Sequence, residues 1–312
     1  MNTIYGDIQK ILPPHFKEMV NKTIQTIGDT LLEIRVRSGK PLIAETSNGS
    51  FAITPDGSPS PAMGGAYIVG ERDLRLIFQA VCENSVYAFM DEIKQGFITI
   101  KGGHRVGFSG RAVLKGDKIE NFREISSLNI RIAREVIGAA NYIIGDVLKP
   151  FGVVSTLIIS PPMGGKTTVL RDLTRQISDK GIKTALIDER GEMASLSRGV
   201  PQCDVGVQTD VIENAPKADS VVMMLRTMSP QLIVTDEIAT DRDAQALMQA
   251  FGTGVSVIAS THGASFDEVM KRESLKPLFG GIGFNQVIVL HKEGSGINTR
   301  IYGKAVGIDC KC

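Results

Sequence analysis

The junction around residue 160 restricts the folds open to this chain more than any other feature. Leu157-Ile158-Ile159 leads into Ser160-Pro161-Pro162-Met163-Gly164-Gly165-Lys166-Thr167-Thr168, and Val169 to Ser178 then follows an amphipathic helical pattern. Strand, small-residue loop and helix in that order are the context of a phosphate-binding loop, G-x-x-x-x-G-K-[ST]. Gly164 and Gly165 let backbone N–H groups turn inward around phosphate oxygens, and the helix N-terminus adds partial positive charge. Lys166 is expected to reach the β- and γ-phosphates, and Thr167 to offer its hydroxyl to Mg²⁺. Ser160 stands where the pattern has its first glycine. Serine is small enough to leave the loop usable, and its effect on affinity is a point to test.

The motif has company. From Val153 onward, short runs rich in Ile and Val alternate with helical patterns: Leu157-Ile158-Ile159, Thr184-Ala185-Leu186-Ile187, Leu232-Ile233-Val234, Val255-Ser256-Val257-Ile258-Ala259 and Val287-Ile288-Val289-Leu290. Such runs describe buried parallel strands of a doubly wound α/β sheet. The strand Gln231-Leu232-Ile233-Val234-Thr235 ends in Asp236-Glu237. Asp236 is suited to hold Mg²⁺, and Glu237 to orient or deprotonate an attacking water. Asp188-Glu189-Arg190 ends the strand that follows the loop helix, and Ser260-Thr261-His262 ends another. In a parallel sheet all these ends share one edge, where ligands bind. There His262 reads as a γ-phosphate sensor rather than as a satisfied structural histidine.

The first half of the chain has a different texture. Residues 3–28 read as helical with an interruption at Pro13-Pro14, Leu31 to Arg37 alternates as a strand, and Pro41 to Ile53 carries two more short strands. Residues 46–65 hold eleven Gly, Ser or Pro and read as a loop. Apolar spacing predicts one helix from about Asp73 to Gln95, and another over 136–148. Between them, glycine-punctuated strands run from Phe97 to Ala133. The domain boundary is placed near 135–150, giving domains 1–140 and 141–312.

A length of 312 residues, with 42% hydrophobic and 22% charged residues, is globular composition and suits two domains. The net charge of +1 argues against a protein that coats nucleic acid by bulk electrostatics. That average conceals an uneven distribution, because residues 94–134 carry nine Lys or Arg against three Asp or Glu. Such a stretch is either a solvated sheet face or a positive surface presented to phosphate. Cys82, Cys203, Cys310 and Cys312 give no disulfide framework, and the terminal Cys-Lys-Cys reads as a frayed tail rather than a metal site. No basic-then-apolar leader and no run of about 20 apolar residues is seen, so a cytoplasmic protein without a transmembrane segment is expected.

Together these residues resemble a known family. The block Leu225-Arg226-Thr227-Met228-Ser229-Pro230-Gln231 before Asp236-Glu237, followed by Thr261-His262, looks like the ATPases of type II and type IV secretion systems. The chain is closer still to the stage III sporulation protein AA family, a branch of that superfamily. Three regions carry this: GHRVGFSGRAVLKGDKIENFREISSLNIRIARE, LIISPPMGGKTTVLRDL with ALIDERGEMA, and VTDEIATDRDAQALMQAFGTGVSVIASTHG, within a likeness over most of residues 30–292. The resemblance implies an α/β P-loop NTPase core (RecA-like, AAA+-related) with a mostly parallel sheet, preceded by a smaller α+β N-terminal domain. It implies a Mg-ATP hydrolase in the mother cell of an endospore-forming bacterium, energising a channel complex that connects to the forespore. It also implies a ring homo-oligomer, a hexamer by expectation, docked on a membrane component.

Roles implied by the resemblance leave two choices open. The acidic segment after the second core strand falls on Asp188-Glu189, so Glu189 competes with Glu237 as catalytic base, and Glu237 is favoured because Asp236 adjoins it. Arg105, Arg111, Arg131 and Arg134 are candidates for an arginine supplied to the terminal phosphate, Arg226 for one acting within the core, and Arg190 is a weaker candidate. A nucleotide-gated scaffold with little hydrolysis is the alternative function. No nucleic-acid partner is expected: an Arg four residues before a His, used by nucleic-acid modules on related cores, precedes none of His15, His104, His262 or His291.

Overall fold

The computed structural model describes residues 3–162, 164–293 and 296–303. Met163 of the loop and the Cys310 and Cys312 pair lie outside them. The chain divides into two compact units, Met1–Arg134 and Glu135–Cys312.

The first unit is an antiparallel sheet covered by helices. Its strands lie in the order Pro59–Ser60, Gly49–Ile53, Ile43–Thr46, Leu31–Arg37, Lys118–Arg131, Arg105–Lys115, Phe97–Thr99. The helices Thr3–Ile11, Pro14–Ile27 and Glu71–Val81 place Ile8, Phe16, Val20, Leu74 and Ile77 in one core with the strand residues Ile34, Val36, Val106 and Ile130. The single helix expected over 73–95 is broken. It ends at Val81, Glu83 and Asn84 take left-handed φ values of 47° and 63°, and a 3₁₀ turn Val86–Phe89 precedes the helix Met90–Gln95. The apolar spacing persists across the break because Val86 and Phe89 still pack on the same core. Spacing reports burial, not hydrogen bonding. Residues 49–53 and 59–60 of the loop read over 46–65 are strands, and the Thr54 hydroxyl links them by donating to Asp56 and accepting the Ser58 amide.

The basic stretch forms the two longest strands, Arg105–Lys115 and Lys118–Arg131. Their register sets Arg105 opposite Arg131, Arg111 opposite Arg123 and Lys115 opposite Lys118. Like charges opposed across a ladder are unfavourable, and local partners relieve part of this. Arg131 lies 3.2 Å from Glu33, Lys115 lies 3.6 Å from Glu120, and Arg105 stacks over the Phe97 ring.

The second unit is built on one sheet in the order Thr209–Glu213, Thr184–Asp188, Leu232–Glu237, Ser256–His262, Thr156–Ser160, Gln286–Glu293, Gly296–Gly303. The first six strands are parallel, and the last pairs antiparallel as a hairpin. Alternate residues feed two separate cores. Leu157, Ile159, Ala185, Ile187, Ile233, Val257 and Val289 face the helices Lys217–Thr227 and Asp241–Gly252, which contribute Val221, Met224, Leu247 and Ala250. Ile158, Leu186, Val234, Ile258 and Ile288 face the loop helix Lys166–Ser178 through Val169, Leu170, Leu173 and Ile177. Each buried aliphatic side chain is worth roughly 1.5–3 kcal/mol, so apolar strands covered on both faces follow from the helical crossovers.

The helix expected over 136–148 is a single turn, Ile144–Val147, after a series of turns. The Ala140 amide donates 2.8 Å to the buried Asp172 carboxylate of the loop helix instead of to a helical carbonyl. That bond ties the entry segment to the loop helix.

Candidate active site

The carboxyl ends of four neighbouring strands meet where the phosphate-binding pattern begins. Ser160 is in register with His262 on the adjacent strand, and Glu237 on the next strand is in register with Ser260. A register shift between Thr235 and Glu237 marks a bulge at Asp236. The two successive carboxylates take different partners there.

The loop itself is closely packed. Ser160 is buried and donates 3.0 Å to the Pro161 carbonyl, and the Gly164 amide donates 3.1 Å to the same oxygen. A β-carbon at Gly164 would collide with Ser160 Oγ and stand 3.0 Å from that carbonyl. Gly165 caps the helix with φ 82°, in the left-handed region that suits glycine. Pro161, Pro162, Thr167 and Thr168 complete the described part of the loop, with both threonines part-exposed in the first helical turn. Lys166 is buried, and among the described residues no hydrogen bond or ion pair holds its ammonium. Burial pushes its pKa below the ordinary lysine value, against the opposing pull of Glu237 and Asp236.

The acidic end of the site is organised by a lysine that the sequence does not single out. Lys217 opens the helix Lys217–Thr227 with 1% of its side chain exposed. Its ammonium lies 2.8 Å from Asp236 Oδ1 and 3.4 Å from Glu189 Oε2, and it donates to the Glu237 main-chain carbonyl. The one available signal is a cation in the first turn of a helix, where the macrodipole favours acids. The Glu237 carboxylate turns elsewhere: its Oε2 lies 3.4 Å from Arg190 and 3.4 Å from His262 Nε2. His262 Nδ1 is buried without a hydrogen-bond partner. Nε2 is therefore the ring nitrogen that meets the Glu237 carboxylate.

Asp188 serves the loop rather than the cavity. It is buried and accepts the amides of Glu192, Met193 and Ala194 at 2.8–2.9 Å. Burial raises its pKa above the usual aspartate value although those three amides pull the other way. Arg171 holds the same segment by donating to the Met193 and Glu192 carbonyls.

The remaining arginines lie apart from this cluster or in the other unit. Arg226 is exposed in the last turn of the helix that Lys217 opens, about 13 Å away along its axis at 1.5 Å per residue. In the first unit Arg111 is exposed, while Arg134 donates to the Leu31 carbonyl at 2.8 Å and to the Tyr5 hydroxyl. Arg105 and Arg131 have the partners given above.

A family model described as sporulation stage III, protein AA matches residues 4–307. The chain belongs to the stage III sporulation protein AA family. Stage III sporulation protein AA of Bacillus subtilis (strain 168) is 36% identical over 306 residues, which cover 96% of this chain and 95% of that protein. Two solved structures share the fold of this family member. The X-ray structure of the Legionella pneumophila ATPase DotB aligns with TM-score 0.56 at 15% identity, over 89% of this chain and 77% of its own. The crystal structure of the pilus retraction motor PilT with bound ADP aligns with TM-score 0.59 at 12% identity, over 93% and 83%. The chain therefore shares the fold of the ATPase DotB and of the pilus retraction motor PilT, with mixed α/β sheets.

Proposed function

We propose that the chain is a Mg-ATP hydrolase with a RecA-like core, acting as a ring of six copies on a membrane component of the channel between mother cell and forespore. The observation that carries this reading is the buried Lys166 side chain, whose ammonium has no hydrogen bond or ion pair among the described residues, beside Gly164, which has no room for a side chain, and Gly165, whose φ of 82° suits glycine. A largely desolvated cation with no carboxylate within ion-pair distance gains from an anion that arrives beside it, and a phosphate chain supplies one.

The donor set also fits Mg²⁺. Thr167 and Asp236 would hold it, and no group of three or more His, Cys, Asp or Glu among the described residues is arranged to bind a metal alone. Mg²⁺ tolerates this because it keeps waters and takes phosphate oxygens as ligands. When bound, it neutralises charge on the phosphates. Glu237 then orients a water for attack on the terminal phosphorus and accepts its proton, while His262 and Arg190 hold that carboxylate in place. An arginine from a neighbouring copy, drawn from Arg105, Arg111, Arg131 and Arg134, adds positive charge to the terminal phosphate. Hydrolysis would change the angle between the two units.

The sporulation family and the fold shared with a named ATPase and a pilus retraction motor support this reading. The proposed location is the mother-cell cytoplasm, against the membrane facing the forespore. No described helix is long and apolar enough to cross a membrane.

A second reading, a nucleotide-gated scaffold, draws on Ser160, whose hydroxyl occupies loop space that a glycine would leave free. Steady-state turnover of ATP by the full chain and Glu237→Gln, with binding of a fluorescent ATP analogue to Lys166→Ala, separates the two. Turnover lost in the first variant and binding lost in the second support the hydrolase. Equal analogue retention by Lys166→Ala and the unmutated chain supports the scaffold.

A further inference from the structure

Lys217 carries a desolvation cost in the site. A cation in the first turn opposes the helix macrodipole, and an ammonium with 1% of its side chain exposed has given up its water. One hydrogen bond, to the Glu237 carbonyl, and two ion pairs, to Asp236 Oδ1 at 2.8 Å and Glu189 Oε2 at 3.4 Å, replace that water. The two carboxylates differ in setting. Asp236 is largely enclosed, with 16% of its side chain exposed, whereas Glu189 is 46% exposed. The Glu237 carboxylate does not compete for Lys217, because it faces Arg190 and His262.

We propose that Lys217 is a built-in counter-ion that competes with the divalent cation for Asp236, holding that carboxylate in the metal-free site and withdrawing toward Glu189 when Asp236 takes a metal. The inference rests on the reading of Asp236 as the metal carboxylate. Two cations cannot share one carboxylate oxygen cheaply in a setting screened from water. The four-carbon lysine stem has the rotatable bonds to move the ammonium between the carboxylates without moving the helix. Glu189 is then the residue that receives Lys217. Lys217 then has a carboxylate partner both before and after metal entry, and the segment after Asp188 senses the change through Glu189.

The test is Mn²⁺ binding to the full chain in the presence of ADP, read by electron paramagnetic resonance of free Mn²⁺, with ADP binding measured separately. Lys217→Met is expected to bind Mn²⁺ about tenfold more tightly than the unmutated chain, because a competing charge is gone. Glu189→Gln is expected to weaken Mn²⁺ binding severalfold, and to lose that effect in the Lys217→Met background. A direct attraction between Glu189 and the metal would persist in that background, which overturns the proposal. Equal or weaker Mn²⁺ affinity in Lys217→Met also overturns it. If Lys217→Met does not fold, Glu189→Gln decides, and unchanged Mn²⁺ affinity there sinks the idea. Retained ADP binding with one Mn²⁺ affinity across all variants defeats this proposal alone. No ADP binding by the unmutated chain defeats the ATPase reading with it.

Discussion

Gly164 lies directly against the hydroxyl of Ser160, so that a β-carbon at 164 would collide with Ser160 Oγ. The serine that departs from the loop pattern and the glycine that keeps it are a matched pair. Gly164→Ala is therefore expected to lower affinity for a fluorescent ATP analogue at least about tenfold, since displaced loop amides lose aligned bonds worth roughly 1–3 kcal/mol. Ser160→Gly should bind the analogue at least as well as the unmutated chain, and should partly rescue Gly164→Ala. Rescue stays partial because the Pro161 carbonyl also stands 3.0 Å from the added carbon. Equal affinity of Gly164→Ala and the unmutated chain would contradict this packing.

Lys166 is expected to serve ligand binding at the expense of the empty fold. Its side chain is buried, no hydrogen bond or ion pair among the described residues holds its ammonium, and burial depresses its pKa. Replacing it with methionine keeps the stem and removes the desolvated charge. Lys166→Met should unfold at equal or higher denaturant concentration than the unmutated chain, a gain on the order of 1 kcal/mol, while losing analogue binding. A marked loss of stability would mean that the lysine holds the apo fold together.

Glu237 and Glu189 can be ranked by turnover. Glu237 meets His262 and Arg190, whereas Glu189 meets Lys217. Glu237→Gln should lower kcat by roughly 10²–10⁴, the usual contribution of a positioned base, with nucleotide binding retained. Glu189→Gln should keep kcat within about tenfold at saturating metal. The reverse ranking would move the base to Glu189.

Asp172 makes stability depend on pH in the acid range. Burial alone would raise its pKa, but the Ala140 amide, Arg175 and Gln176 outweigh that and hold it below the ordinary aspartate value. A depressed folded-state pKa gives stability that is complete above the unfolded value, near 3.9. That stability is lost as pH falls through the folded pKa. Asp172→Asn should cost about 1.5–3 kcal/mol at pH 7, the worth of charged hydrogen bonds. The deficit should shrink in urea melts below pH 4, and a constant one would assign the loss to shape alone.

Much of the core unit is legible in the sequence. Leu157-Ile158-Ile159 and its counterparts stand out because a parallel strand buried on both faces must be apolar throughout. Ser160 to Thr168 stands out because a tight loop admits few residue types. Legibility failed where local spacing and tertiary contact diverge. Residues 73–95 keep a helical rhythm across a break, since Val86 and Phe89 pack, partly buried, against the core from a 3₁₀ turn. Arg226 stands in the sequence block that carries the resemblance, and Lys217 at the other end of the same helix meets the carboxylates without any such block to mark it. Beyond its place in the first turn of a helix, nothing local distinguishes a lysine that meets strand-end carboxylates from one that points to water.

Sequence by itself determined the strand–loop–helix junction and the chemistry of each strand end, because these depend on neighbours only a few residues away. Tertiary structure decided which charges meet: Lys217 with Asp236 and Glu189, Arg190 and His262 with Glu237, Ser160 with Gly164. The reason is range. Backbone propensity and burial period are written over a single turn or strand. Electrostatic partners are chosen by strand order, and that order sets residues far apart in the chain within 3–4 Å of each other only once the crossovers have closed.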